Sequence, residues 1–168
     1  MRQELKSLLL RAPRLTLAVA ESVTCGQLQA RVGAISGASE FFLGGITAYT
    51  LDQKVRHLGV ERAEAAACDC VSAGVAVQMA CGAGALFGSD LALATTGYAE
   101  PAPAQGVAEP AAFWALAWRG PDNRWLNRAG KIVCPGATRV AAQALVADAA
   151  LAELLAHLRA TRAVTLSA

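Results

Sequence analysis

Three places in the chain carry residue types whose spacing could support acyl transfer. "LAVAESVTCGQLQARVG" (17–33) sets Ser22, with Glu21 and Thr24 beside it, where an apolar run gives way to a helical pattern. Tyr49 and Lys54 follow the next apolar run, and Thr95, Thr96 and Gly97 close a third. A serine at a helix mouth sits among unpaired backbone N–H groups and the positive end of the helix dipole, donors that could hold an oxyanion. Its hydroxyl is a poor nucleophile until a base takes its proton. The chain offers only His57 and His157 for a histidine triad, both on helical patterns. A desolvated lysine can serve instead, because burial favours its neutral amine. Lys54 is the candidate, and the Tyr49 hydroxyl could relay or orient a proton. Each residue also has a plainer reading: Ser22 as an ordinary N-cap, Lys54 as a solvated lysine, Tyr49 as a strand residue.

These residues need a scaffold that brings three strand ends together. Residues 2–11 predict an amphipathic helix, ended by Pro13. "LTLAVA" (15–20) suits a strand buried on both faces, and Thr24 to Val32 reads as helix. "GGITAYT" (44–50) is a second strand, followed by a short helix around "LDQKVRHLG". Ser72 can cap a long helix running to about Phe87, and "DLALATTG" (90–97) is a third strand. A Pro- and Ala-rich loop (98–110) then leads to "AAFWALAW" and "RWLNRAGKIV", which flank the turn "RGPDN" as an antiparallel hairpin. Residues 138–160 form a closing helix with a tail over 161–168. The pattern implies one α/β domain over 1–168, a three-layer α/β/α sandwich with a mixed sheet. Ligands of such sheets bind at the C-terminal strand ends.

Composition narrows the classes further. A 55% apolar and 17% charged chain of 168 residues can bury a sizeable core and is not disordered. The net charge of +2, with scattered basic residues, argues against nucleic acid as the main partner. No window holds the roughly 18 uninterrupted apolar residues of a membrane span, and the N-terminus lacks a signal-peptide pattern. A cytoplasmic protein with no membrane partner is therefore expected. Cys25, Cys68, Cys70, Cys81 and Cys134 are odd in number and lack the spacing of a metal site, so idle thiols are expected. Trp114, Trp118 and Trp125, if exposed, would suit a homo-oligomer contact.

"AESVTCG", "GASEFFLGGITAYTLDQK" (37–54) and "LATTGYAEP" together resemble the CinA C-terminal domain family, whose characterised members are nicotinamide-nucleotide amidohydrolases. That family reads A-E-S-C-T-G-G, then G-A-S-x-x-F-x-G-G-x-x-x-Y-x-x-x-x-K, then T-G-I-A-G-P. "CVSAGVAVQMA" also resembles its G-A-V-S helix start, with Cys70 in place of alanine. The similarity extends over almost the whole chain. It implies hydrolysis of the carboxamide of nicotinamide mononucleotide to nicotinic acid mononucleotide and ammonia, by a serine–lysine mechanism without metal or cofactor. By position, Ser22 would attack the amide carbon, Lys54 would act as general base and Tyr49 would belong to the proton network. Thr96 and Gly97 would face a small-molecule amide or nucleotide, and Thr24 and Gly26 would shape the loop.

The departures from the pattern concern recognition more than chemistry. Val23 and Cys25 stand where the family has cysteine and glycine, and Cys25 matters most if that glycine adopts positive φ. Glu100 brings a carboxylate to a place the family keeps bare, where it would repel a phosphate. Thr138 and Ala142 replace an acidic residue–arginine step and a second arginine. Arg139 remains as a substrate-binding candidate, displaced by one position, a rotation of roughly 100° on a helix. A catalytically impaired paralogue, or an amidohydrolase for a different and less anionic amide, are the alternative readings.

Overall fold

The computed structural model describes residues 2–163. Along the chain these are α1 (Arg2–Leu10), β1 (Leu17–Glu21), α2 (Gln27–Gly33), β2 (Phe42–Thr47), α3 (Leu51–Leu58), α4 (Arg62–Ala67) and α5 (Ala73–Phe87). Then come β3 (Leu91–Tyr98), β4 (Ala111–Arg119), β5 (Trp125–Val133) and α6 (Arg139–Ala163). The strands form one sheet in the order β2-β1-β3-β4-β5, with β2, β1 and β3 parallel and the β4–β5 hairpin antiparallel. Helices cover both faces, giving the expected α/β/α sandwich with a mixed sheet.

Strand alternation sorts side chains by size onto the two faces. Leu17 and Val19 of β1, Leu91 and Leu93 of β3, and Trp114 and Leu116 of β4 join Leu5, Leu28, Val32 and Leu154 of α1, α2 and α6 in one core. The residues between them are Ala20, Ala92, Ala94, Ala115 and Ala117, and these meet Val75, Met79 and Ala83 of α5 in the other. A period of two therefore gives the sheet one bulky face and one alanine-paved face. The paved face lets α5 lie close, and α3 packs in turn on α5. At Gly82 of α5 an added Cβ would stand 2.0 Å from the carbonyl oxygen of Leu58, so only glycine fits where α5 meets the end of α3. That contact fixes the helix bearing Lys54.

Four expectations need correction. Helix α2 begins at Gln27 rather than Thr24, because the Thr24 carbonyl takes the Gln27 N–H and the Glu21 side chain takes those of Gly26, Leu28 and Gln29. Strand β2 ends at Thr47, before Tyr49. Helix α4 was not anticipated; Glu61 caps it by accepting from the N–H groups of Ala63 and Glu64. The tryptophans are not exposed: Trp114 lies in the bulky core, half-buried Trp118 meets the His157 ring at a tilt with centroids 4.4 Å apart, and half-buried Trp125 carries the Arg119 guanidinium over its ring at 3.8 Å.

The closing helix runs to Ala163, so the expected tail over 161–168 starts inside it, and residues 164–168 lie outside the described residues. Helix α6 is long and apolar enough to cross a membrane, with a window of mean hydropathy 1.4. Its Val146, Leu151, Leu154 and Leu158 are buried within the protein.

Candidate active site

The alternation that sorts the core also divides the strand ends. Glu21 and Thr95 continue the bulky face toward α2, whereas Ser22 and Thr96 continue the alanine face toward α3 and α5. The adjacent residues Glu21 and Ser22 thus serve different ends of the architecture.

Glu21 is fully buried. Its Oε2 accepts from the Thr24 hydroxyl (2.6 Å) and from the N–H groups of Gly26 and Leu28 (both 2.9 Å), and its Oε1 accepts from the N–H of Gln29 (2.9 Å). A carboxylate at the positive end of α2 satisfies donors that would otherwise be orphaned. Thr24 is also fully buried, and its hydroxyl lies 2.7 Å from that of Thr95. Neither Thr24 nor Gly26 lines the cavity at Ser22; both brace the loop from behind. Gly26 has φ +98° and Cys25 has φ +48°, the left-handed conformation that glycine adopts without penalty. Cys25→Gly is accordingly expected to raise stability by about 1 kcal/mol, read as a higher urea midpoint at unchanged slope.

Ser22 faces the other way. Its N–H donates to the Thr95 carbonyl (3.0 Å), extending the β1–β3 pairing by one residue. Lys54 Nζ lies 2.9 Å from Ser22 Oγ and donates to the Tyr49 carbonyl oxygen at 2.8 Å. Lys54 stands in the first turn of α3, and its side chain runs back toward the helix N-terminus, the direction Cα–Cβ vectors favour. Lys54 is 1% exposed, within the sandwich rather than in solvent. Burial pushes its pKa below the ordinary lysine value, and nearby Cys70 and Asp69 hold part of that shift back. The positive end of α3 also disfavours an ammonium there. Among the described residues, the N–H groups of Val23 and Thr24 in the turn after Ser22 have no backbone acceptor.

Ser22 and Lys54 open onto a cavity of about 530 Å³, bounded by Tyr49, Cys70, Thr96 and Gly97 among others. The Thr96 hydroxyl donates to the Cys70 carbonyl (2.7 Å), tying down the loop in which Asp69 and Cys70 have φ +50° and +61°. Gly97 lines the cavity, but its lack of a side chain answers a packing need: a Cβ would stand 2.5 Å from the Ala111 carbonyl oxygen on β4. The Tyr98 hydroxyl donates to Asp69 (3.0 Å); burial, followed by that carboxylate, pushes its pKa up to about 12. Burial likewise pushes the Cys70 thiol up. Asp69, Cys70 and Tyr98 are not among the expected site residues, although Cys70 and Tyr98 stand within the family-like stretches "CVSAGVAVQMA" and "LATTGYAEP"; nothing local marks Asp69.

Tyr49 contributes differently from the sequence reading. Its carbonyl, not its hydroxyl, meets Lys54, while its half-exposed ring reaches outward. There Arg139 donates to the Tyr49 hydroxyl and to Glu100, each at 2.7 Å. Displaced along its helix, Arg139 still arrives at the site, but it does so paired. These groups border a second cavity of about 200 Å³ that shares Val23, Tyr49, Gly97 and Tyr98 with the first. Neither His57, bonded to Gln53, nor His157 lines either cavity.

Fold and site together define an α/β/α protein with a buried serine–lysine pair at the C-terminal end of its central parallel strands. The family model described as CinA C-terminal domain matches residues 1–158, and the chain belongs to that family. A CinA-like protein from a Picosynechococcus species is 44% identical over 115 residues, which cover 68% of this chain and 27% of that protein. A protein described as a putative competence-damage inducible protein, from Desulforamulus reducens, is 38% identical over 127 residues, covering 70% and 31%. The matched part of the chain thus spans about a quarter to a third of the length of these curated relatives. Among solved structures, the competence or damage-inducible protein from Enterobacter asburiae superposes with a TM-score of 0.84 at 27% identity, covering 94% of this chain and 95% of that one. A CinA superfamily protein from Escherichia coli gives a TM-score of 0.82 at 28% identity, covering 92% and 87%.

Proposed function

We propose that the chain is a cytoplasmic amidohydrolase that uses Ser22 as nucleophile and Lys54 as base on the carboxamide of a pyridine nucleotide or nucleoside. One observation carries the reading: the amine of the buried Lys54, its pKa lowered, sits 2.9 Å from the hydroxyl it would deprotonate. Membership in the CinA C-terminal domain family supports it. In the first half-reaction, the Ser22 proton passes to the neutral Lys54 amine as Oγ bonds to the amide carbon. The N–H of Val23, a residue that borders the cavity, receives the oxyanion. Lys54 returns the proton to the departing nitrogen, and ammonia leaves an acyl-serine. Water, deprotonated by Lys54, then displaces Ser22 and releases the carboxylic acid. The Tyr49 carbonyl orients the amine throughout.

Nicotinamide mononucleotide is the substrate that the family resemblance implies. Ammonia release from it, compared between the wild type and Ser22→Ala, tests the reading. Wild-type turnover that falls below about one-thousandth in the variant is expected. A folded wild type that releases no ammonia from pyridine nucleotides, nucleosides or simpler amides would reject hydrolysis. The protein would then be a binding paralogue, a reading that the pairing of Arg139 with Glu100 favours.

A further inference from the structure

We infer that Glu100 sets the specificity of this site, turning it toward phosphate-free carboxamides and above all toward a cationic pyridinium nucleoside. The inference rests on the amidohydrolase reading for the identity of the carboxamide, and it comes from the charges on the cavity walls. Among the described residues lining the two adjoining cavities, the cations are Lys54 and Arg139 and the anions are Asp69 and Glu100. Lys54 lies at the reacting end, in the first cavity and not the second, with its amine engaged by the Ser22 hydroxyl and the Tyr49 carbonyl. Arg139 is the remaining cation at the mouth, and its two terminal nitrogens are engaged by Glu100 and Tyr49.

A phosphate reaching for Arg139 meets a competitor tethered to the same wall, present at high effective concentration. The Arg139–Glu100 pair is about half exposed and weak in itself, so the phosphate could part it. The displaced carboxylate would nevertheless stay within the same cavity and repel the dianion. For a pyridinium ring the balance reverses. Asp69 and Glu100 then attract, and Tyr49 and Tyr98 place aromatic residues on the walls of both cavities.

The test uses the full chain carrying Ser22→Ala, so that binding is read without turnover. Calorimetric titration compares nicotinamide mononucleotide with the same molecule lacking phosphate, nicotinamide riboside. The riboside is expected to bind about tenfold more tightly, a difference of about 1.4 kcal/mol. Adding Glu100→Gln frees Arg139 and removes the repulsion, and the preference is expected to shift about tenfold toward the mononucleotide. Glu100 lies on the surface, so the variant keeps its fold. Tighter binding of the mononucleotide by the Ser22→Ala protein, a ratio unmoved by Glu100→Gln, or binding of neither ligand would each overturn the inference. Hydrolysis is judged separately, by ammonia release from wild type, so the specificity can fail while the chemistry stands, or the reverse.

Discussion

Lys54→Met protein is expected to stay folded and to lose about 10²–10⁴-fold in ammonia release, the usual worth of a general base. Methionine reproduces the apolar stem of lysine as far as Cε and lacks only the amine, and the stem is what α3 packs with. The deleted amine leaves the Ser22 hydroxyl with no base and the part-buried Tyr49 carbonyl with one donor fewer. Stability gives an independent readout. Burial holds the folded-state pKa of Lys54 below the ordinary 10.5, near which the unfolded chain titrates. Between those two values the unfolded chain carries the extra proton, so wild-type stability rises with pH across that window. Relative to Lys54→Met, the wild type should therefore gain stability from neutral pH to about pH 10, measured as urea midpoints of both proteins. Ammonia release should rise with pH in the same way and level off below the ordinary lysine value. Two proteins whose midpoints move in parallel, or a variant that still turns over amide, would mean that Lys54 is not the buried base.

Most of the scaffold was legible because strand and helix patterns are local. "LTLAVA" is apolar on both faces since β1 lies between two strands and two helix layers, and Ser72 caps α5 with its own hydroxyl, which accepts from Val75. The start of α2 was not legible in that way. Its cap is the side chain of Glu21, six residues before the first helical residue, at the end of a strand. The signal available was the alternation of "LAVAE": it aims Glu21 at the bulky, dry face, where a carboxylate needs donors.

The candidate site shows the same divide. Residue chemistry alone makes Ser22 and Lys54 candidates, but only the family resemblance lifts them above an N-cap and a surface lysine. What joins them is long-range: α3 curls over the end of β1 only because α5 approaches at Gly82 across an alanine floor. The reach of Arg139 was underestimated for a related reason. A rotation of roughly 100° matters less when a long side chain has a carboxylate and a phenol to meet.

Glu21→Ala is expected to destabilise the protein by about 3–5 kcal/mol, because it strands one buried and two part-buried backbone N–H groups at once. The N–H groups of Gly26, Leu28 and Gln29 and the Thr24 hydroxyl all aim at the two carboxylate oxygens. Thr24 retains Thr95, but the three amides have no alternative acceptor on the bulky face. Glu21→Gln should cost less, about 1–2 kcal/mol, since its carbonyl oxygen can stand at the Oε2 position and keep three of the donors. Its amide nitrogen would then confront the N–H of Gln29, donor against donor. Urea unfolding of the three proteins should therefore rank wild type above Gln and Gln above Ala. Activity should fall as well, more steeply than the fraction unfolded, because Ser22 and its turn hang directly from Glu21. A Glu21→Ala protein within about 1 kcal/mol of wild type would show that α2 is held by its apolar packing alone, with Leu28 and Val32 sufficient without the cap. The ranking thus decides whether the loop that presents Ser22 is anchored by charge and hydrogen bonds from below or merely carried by the helix that follows it.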